Sequence, residues 1–235
     1  VDVSDSSDAH EAFMAALGRG CDVATANKKP LADNLTVFQA LQSSADAQGR
    51  IIRAEATVGA GLPVIDTLEM LLATGDRLQR ARGCLSGTLG FLMSALEEGQ
   101  SFSGAVRKAV ELGYTEPDPV ADLSGVDVAR KATILARLAG MSSAEKPVAL
   151  TGLVDESHSG KSLDDLFKHL ETLDEHFAKQ VENAAKDGKV LRFVAEVHHD
   201  RLVVGPAAVP KDSPLGGLQG SDNMIVFESE RYNDR

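Results

Sequence analysis

Tryptophan is absent from the 235 residues, and aromatic side chains of all kinds make up only 4% of them. With 43% hydrophobic residues, the core must be mostly aliphatic. Cysteine is scarce too. Cys21 and Cys84 are far apart and in neither metal nor redox spacing, so both read as small buried apolar residues in a reducing, cytoplasmic setting. No apolar run is long enough to cross a bilayer, and no signal or transit segment is visible. Basic residues are outnumbered by acidic ones, 24 to 35, for a net charge of −11. That balance argues against nucleic-acid and anionic-membrane partners. Internal repeats and low-complexity segments are missing as well. What remains is an ordinary globular composition, enough for one large or two smaller domains. The chain opens on Val1-Asp2-Val3 without a methionine and reads as part of a longer protein.

Strand and helix signals alternate at first. Residues 1–3 read as a strand end and 4–7 as its loop, followed by a helix from Asp8 to Leu17 closed by Gly18. A strand is expected over 21–26, ending in Asn27-Lys28-Lys29-Pro30, then a helix over 34–48. This alternation suggests a parallel α/β unit, with ligands at the carboxyl ends of its strands. A strand over 51–58 leads into the turn Gly59-Ala60-Gly61-Leu62-Pro63 and a helix to Ala73. Gly59 and Gly61 fit half a dinucleotide fingerprint, but Val64 stands where the third glycine belongs, so a close backbone turn is the better reading. Further on, strands are expected over 79–85, 148–154, 190–197, 202–209 and 224–230, and helices over 89–98, 102–112 and 163–186. These strands do not alternate strictly with helices, which suggests a mixed sheet with helices on one face. His198-His199 reads as a solvated hairpin turn rather than a metal site.

The chemistry concentrates in 113–131. Glu116, Asp118, Asp122 and Asp127 precede Lys131, and Pro117 and Pro119 keep the first half out of helix. Ser124 is the expected N-cap of a helix to Ala139, with Asp127 in the capping-box position. At about 100° per residue, Leu135, Leu138, Val128, Ile134 and Ala139 surround Lys131, while Arg130, Thr133 and Arg137 take the opposite side. A lysine in an apolar stripe must snorkel out, find carboxylates or shift its pKa. Four acids just upstream favour an active site over a snorkelling lysine.

Four blocks together resemble the homoserine dehydrogenase family. They are Thr25-Ala26-Asn27-Lys28-Lys29, Glu55 to Pro63, Ser86-Gly87-Thr88-Leu89, and the long run from Ala109 through Glu116-Pro117-Asp118-Pro119 to Lys131. The tail from Asp222 to Tyr232 is similar to the dehydrogenase half of bifunctional aspartate kinase–homoserine dehydrogenases. The resemblance implies a Rossmann nucleotide unit, here its C-terminal portion over 1–50, and an α+β substrate-binding, catalytic and dimerisation domain over 51–235. It implies NAD- or NADP-dependent interconversion of L-homoserine and L-aspartate 4-semialdehyde, on the route to threonine and methionine, by a homodimer or higher homo-oligomer. Carried over residue by residue, Lys131 is the acid/base lysine and Lys29 the second active-site lysine, between cofactor and substrate. Glu116, Asp122 and Asp127 are the acids of the substrate site, with Tyr114, Gly87 and Thr88 beside the bound amino acid. Ser4, Thr25 and Lys29 approach the cofactor. Glu55, Val58, Ala60 and Leu62 match positions that hold a sodium ion, mainly through backbone carbonyls.

The chemistry of these residues is consistent with that implication. Hydride transfer to an aldehyde builds negative charge on oxygen, which an ammonium can stabilise and then protonate. The substrate's α-ammonium needs carboxylates, and Asp127 would hold Lys131 protonated. A strongly paired lysine is a reluctant proton source, so a water relay or Lys29 is expected to share the task. The family's first strand, its Gly-rich phosphate loop and its C-terminal Gly-rich segment have no counterpart in these residues, and the expected cofactor is NADP or NAD. Two other readings stay open: a dimerising, substrate-binding module without catalysis, and a related amino-acid semialdehyde or amino-acid dehydrogenase.

Overall fold

Asn34 and Gly49 set the limits of the main helix of the N-terminal unit. The Asn34 side chain accepts the Thr36 and Val37 amides, and Gly49 leaves the helix with φ 59°. In the computed structural model, which describes residues 1–233, this unit contains α1 (Ala9–Gly18), β1 (Val23–Ala24), α2 (Lys29–Ala32), α3 (Leu35–Gln48) and β2 (Ile52–Arg53). β1 pairs in parallel with β2, and a parallel bridge joins Asp2 to Thr25. Phe13 and Leu17 of α1 and Leu41 and Ala45 of α3 close on Val23 in a small separate core. Each large aliphatic or aromatic side chain buried there contributes about 1.5–3 kcal/mol.

The second unit continues with α4 (Val64–Ala73), β3 (Leu78–Cys84), α5 (Gly87–Glu97), α6 (Phe102–Glu111), α7 (Pro119–Leu123), α8 (Val126–Leu138), β4 (Val148–Leu150), α9 (Leu163–Lys186), β5 (Lys189–His198), β6 (Leu202–Pro210) and β7 (Met224–Ser229). Its five strands form one mixed sheet in the order β4-β6-β5-β3-β7, parallel only between β4 and β6. Period-two alternation splits β5. Leu191, Phe193, Ala195 and Val197 join the main core with α5, α8 and α9, whereas Val190 and Val194 face the other side with Cys84, Val209 and Leu215. That other side also carries a paired ladder, Arg80 and Arg82 on Glu196.

Several elements differ from the sequence expectation. The expected strands over 21–26, 51–58 and 148–154 shrink to two or three paired residues. After Arg53 the chain tightens into a 3₁₀ turn, Glu55–Thr57. Pro119 does not extend the chain but starts α7, at a first-turn position where a missing N–H costs nothing, and Asp118 caps that helix through the Val120 amide. Ser124 is not the cap of α8. Gly125 is, with φ 74°, and Asp127 turns to lysines instead of closing a capping box. Arg137, expected outside, is buried, because α2 and α3 cover that side of α8. Cys84 is buried as expected, but Cys21 is exposed at a strand entrance.

Candidate active site

Three segments converge around the pair Asp127 and Lys131. The αL turn at Gly125 starts α8 so that Asp127 lies in its first turn, with Lys131 one turn later on the same face. Asp127 Oδ2 lies 2.8 Å from Lys131 Nζ. Its Oδ1 lies 3.1 Å from Lys28 Nζ, which arrives from the N-cap of α2. Lys131 also donates to the Leu85 carbonyl at 2.6 Å, at the exit of β3, and its side chain is only 14% exposed. Partial burial pushes the Asp127 carboxyl up, but the two ammonium groups outweigh it and hold the group below its ordinary 3.8.

A second carboxylate sits in the opposite electrostatic setting. Asp122, on α7, accepts the Glu116 amide at 2.7 Å. Its carboxyl is raised above 3.8, first by burial and then by the negative charges of Glu116 and Asp127, against the Glu116 amide and the Thr88 hydroxyl. Thr88 donates to the Tyr114 carbonyl at 2.6 Å, and the Tyr114 ring meets Phe91 edge-on at 5.1 Å. Gly87 begins α5 behind the Ser86 cap, whose hydroxyl accepts the Leu89 amide, so Gly87 and Thr88 form the first turn beside this acidic rim. Residues 220–222 form the wall beyond: a Cβ on Gly90 would lie 3.1 Å from the Gly220 carbonyl oxygen. The chain leading into that segment is anchored by Arg192, whose buried guanidinium donates to the carbonyls of Leu215, Gly216 and Leu218 and to Glu97. On the other side, Asp118 accepts Ser159 Oγ and the Gly160 amide, so the turn preceding α9 straps the loop that carries Glu116.

The loops of the N-terminal unit assemble separately. Asp2 accepts the Ser4 amide and the Thr25 hydroxyl, Asn27 donates to the Ser6 carbonyl, and Lys29 Nζ reaches the Asp5 carbonyl and carboxylate at 2.8 and 2.9 Å. Ser4, Thr25 and Lys29 therefore share one loop cluster at the carboxyl ends of the parallel strands. Lys131, Glu116, Asp122, Asp127, Tyr114, Gly87 and Thr88 share the other. Lys28 belongs with the second group. Pro30 sits in the first turn of α2, and about 100° per residue separates the two neighbouring lysines. The Lys-Lys pair could have suggested this division, but without the helix start it could not say which lysine turns inward.

In the turn 58–62, Ala60 adopts φ 54°. The Glu55 carboxylate accepts the Ile65 and Asp66 amides, and the Leu62 carbonyl accepts the Val64 amide. The carbonyls of Val58 and Ala60 take none of the hydrogen bonds that close this turn.

A small parallel unit whose loops face an acidic, lysine-bearing site on a mixed-sheet domain has the architecture of a two-unit dehydrogenase of Rossmann type. The sequence profile of homoserine dehydrogenases matches residues 63–235, and the chain belongs to the homoserine dehydrogenase family. It is 41% identical over 221 residues to the bifunctional aspartokinase/homoserine dehydrogenase of Haemophilus influenzae, covering 94% of this chain and 27% of that protein. With the homoserine dehydrogenase of Paracoccidioides brasiliensis it shares 38% over 241 residues, 94% of this chain and 63% of the other. The chain thus spans less than two thirds of the length of either relative. A putative homoserine dehydrogenase from Archaeoglobus fulgidus superposes with TM-score 0.82 at 29% identity, over 98% of this chain and 65% of that one. A hyperthermophilic archaeal homoserine dehydrogenase in complex with NADPH superposes with TM-score 0.75 at 26% identity, over 98% and 62%.

Proposed function

We propose that the protein carrying this chain interconverts L-homoserine and L-aspartate 4-semialdehyde with a nicotinamide cofactor. The observation that carries this reading is the largely buried Lys131, paired with Asp127 beside the acidic rim of Glu116 and Asp122. An amino acid brings an α-ammonium, and Glu116 and Asp122 supply its counter-charge. Thr88, Tyr114 and the first amides of α5 lie beside them to take the α-carboxylate. An ammonium has three donors. Lys131 uses two, on Leu85 and Asp127, which leaves one for the substrate's reacting oxygen. That donor stabilises negative charge on the oxygen and delivers its proton, and in the oxidation direction the neutral amine left behind takes that proton back. Lys28, on the far oxygen of Asp127, is the second lysine of the site, and Lys29 belongs to the cofactor side.

Ser4, Thr25 and Lys29 lie where parallel sheets take nucleotides, and a cationic Lys29 suits an anionic cofactor. The NADPH complex of the archaeal relative supports NADP or NAD as that cofactor, which when bound supplies or accepts the hydride. The 58–62 turn suits a hard monovalent cation: the Val58 and Ala60 carbonyls are available, and Glu55 and Leu62 oxygens keep further lone pairs. A sodium ion there would fix the turn between the two units. Among the described residues no helix is long and apolar enough to span a membrane. The exposed free thiol of Cys21 suits a cytoplasmic setting. The sheet face opposite the helices, where Val203 is exposed, suits self-association as a homodimer.

Lys131→Ala in the full-length enzyme tests the assignment. Turnover should fall roughly 10²- to 10⁴-fold with cofactor affinity nearly unchanged. A kcat within about threefold of the parent would refute the acid/base role.

A further inference from the structure

α2 is a single turn, Lys29–Ala32, lying against α8. Its two flanking residues carry opposite charges, and each meets an opposite charge on α8. At the front, Lys28 meets Asp127 at 3.1 Å. At the back, Asp33 takes Arg130 in a two-point grip, Nε at 2.8 Å and a terminal nitrogen at 3.5 Å. Asp127 and Arg130 are i and i+3, so they stand on one stripe of α8. The stripe continues to Arg137, which donates to the Leu31 carbonyl and lies over the Phe38 ring, 5.6 Å from its centroid.

The alternating polarity makes the docking register-specific. Sliding α2 by one turn along α8 would bring like charges together, Lys28 toward Arg130 or Asp33 toward Asp127. Turning α2 about its axis would pull Lys28 off the carboxylate that also holds Lys131. We propose that Asp33 and Arg130 are positioning residues for the reaction. Touching neither substrate nor cofactor, they lock α2 on α8 so that the cofactor-side loop and the acid/base lysine keep one fixed separation. This rests on the homoserine dehydrogenase reading. It also assigns a role to Arg130, which neighbours the catalytic lysine in sequence yet points away from it.

The test uses the full-length enzyme with Asp33→Asn, Arg130→Gln and the charge-exchanged double variant D33R/R130D. The pair is partly exposed, with side chains 31% and 44% accessible. It therefore adds little to stability, and melting temperature should hardly move for Arg130→Gln, whereas Asp33→Asn also removes a charge that acts on the buried Arg137 and should melt somewhat lower. Misplacing a reacting group by an ångström or so can slow turnover on the order of 10²-fold. Each single variant should accordingly lose roughly ten- to a hundredfold in kcat, with KM for homoserine within about threefold, the pattern of an interaction lost only in the transition state. The exchanged pair should recover to within about threefold of the parent. Where a single variant fails to fold, Arg130→Lys replaces it: it keeps the charge but loses the two-point grip, and should show the same kcat loss at normal melting temperature. Single variants within twofold of the parent, or an exchanged pair no better than the worse single, overturn the proposal. A parent without homoserine turnover overturns the reaction and this proposal together, whereas an active parent with unaffected variants overturns the proposal alone.

Discussion

Gly125 is the point at which the site helix can be broken without touching a charged group. It caps α8 at φ 74°, and a Cβ there would fall 2.6 Å from Phe193 Cζ, 3.2 Å from Cε1 and 3.3 Å from Leu150 Cδ1. Phe193 is 3% exposed in the core and has no free direction in which to move. Gly125→Ala therefore meets two costs. The left-handed backbone costs an alanine about 1–2 kcal/mol, and forcing a methyl into a filled core costs about 1–3 kcal/mol. A total near 3 kcal/mol lowers the melting temperature of a chain this size by roughly 6–12 °C. Gly113→Ala separates the two costs, because Gly113 has φ 70° but nothing within 4 Å of its Cβ position. It should lose only the backbone part, about 1–2 kcal/mol. Thermal unfolding of both variants, together with kcat on the folded protein at 25 °C, reads the result. Because α8 carries Asp127 and Lys131, Gly125→Ala should also lower kcat, while Gly113→Ala affects it less. Equal melting temperatures for the two variants would refute the packing argument.

Asp122 is destabilising where it stands. Its folded pKa is raised, so the folded protein disfavours the ionised form; this cost is absent below the unfolded value of 3.8 and sets in as pH rises through the folded value. Asp122→Asn should therefore melt higher than the parent at pH 7, with the gain vanishing toward pH 3.8, while KM for homoserine rises by roughly tenfold or more through loss of a charge-assisted contact. A lower melting temperature at pH 7, or an unchanged KM, counts against the assignment. For self-association, sedimentation should give twice the chain mass, and Val203→Arg on the open sheet face should halve it; a parent already sedimenting as one chain rejects the dimer.

The helices were legible because their signals are local. Ser101, Ser162 and Asn34 cap helices through their own neighbours, and the apolar seam of α9 repeats inside one element. The short parallel strands were overextended because hydrophobic runs do not state where pairing stops. The Gly125 cap was missed because Ser124 offered a standard alternative, and only the approach of Phe193, 68 residues later, makes glycine necessary there. The Asp127–Lys131 pair was readable from i,i+4 spacing. Lys28 on Asp127 and Arg130 on Asp33 are contacts across about 100 residues, and nothing in local periodicity encodes them.

The wall formed by α5 and the 220–222 segment has a consequence for how such a site drifts over generations. Gly90 faces the Gly220 and Asp222 carbonyls, and Gly87 faces Ser221 through its Cβ and its carbonyl, so the contact is largely main chain on main chain. Side chains along the segment can change while the wall keeps its shape, because the peptide units are the surface. Gaining or losing a residue between Leu215 and Asp222 is another matter: the Arg192 anchor fixes one end and β7 the other, so any change of length must displace the wall. Among descendants of this chain, length in that segment should be held far more tightly than spelling.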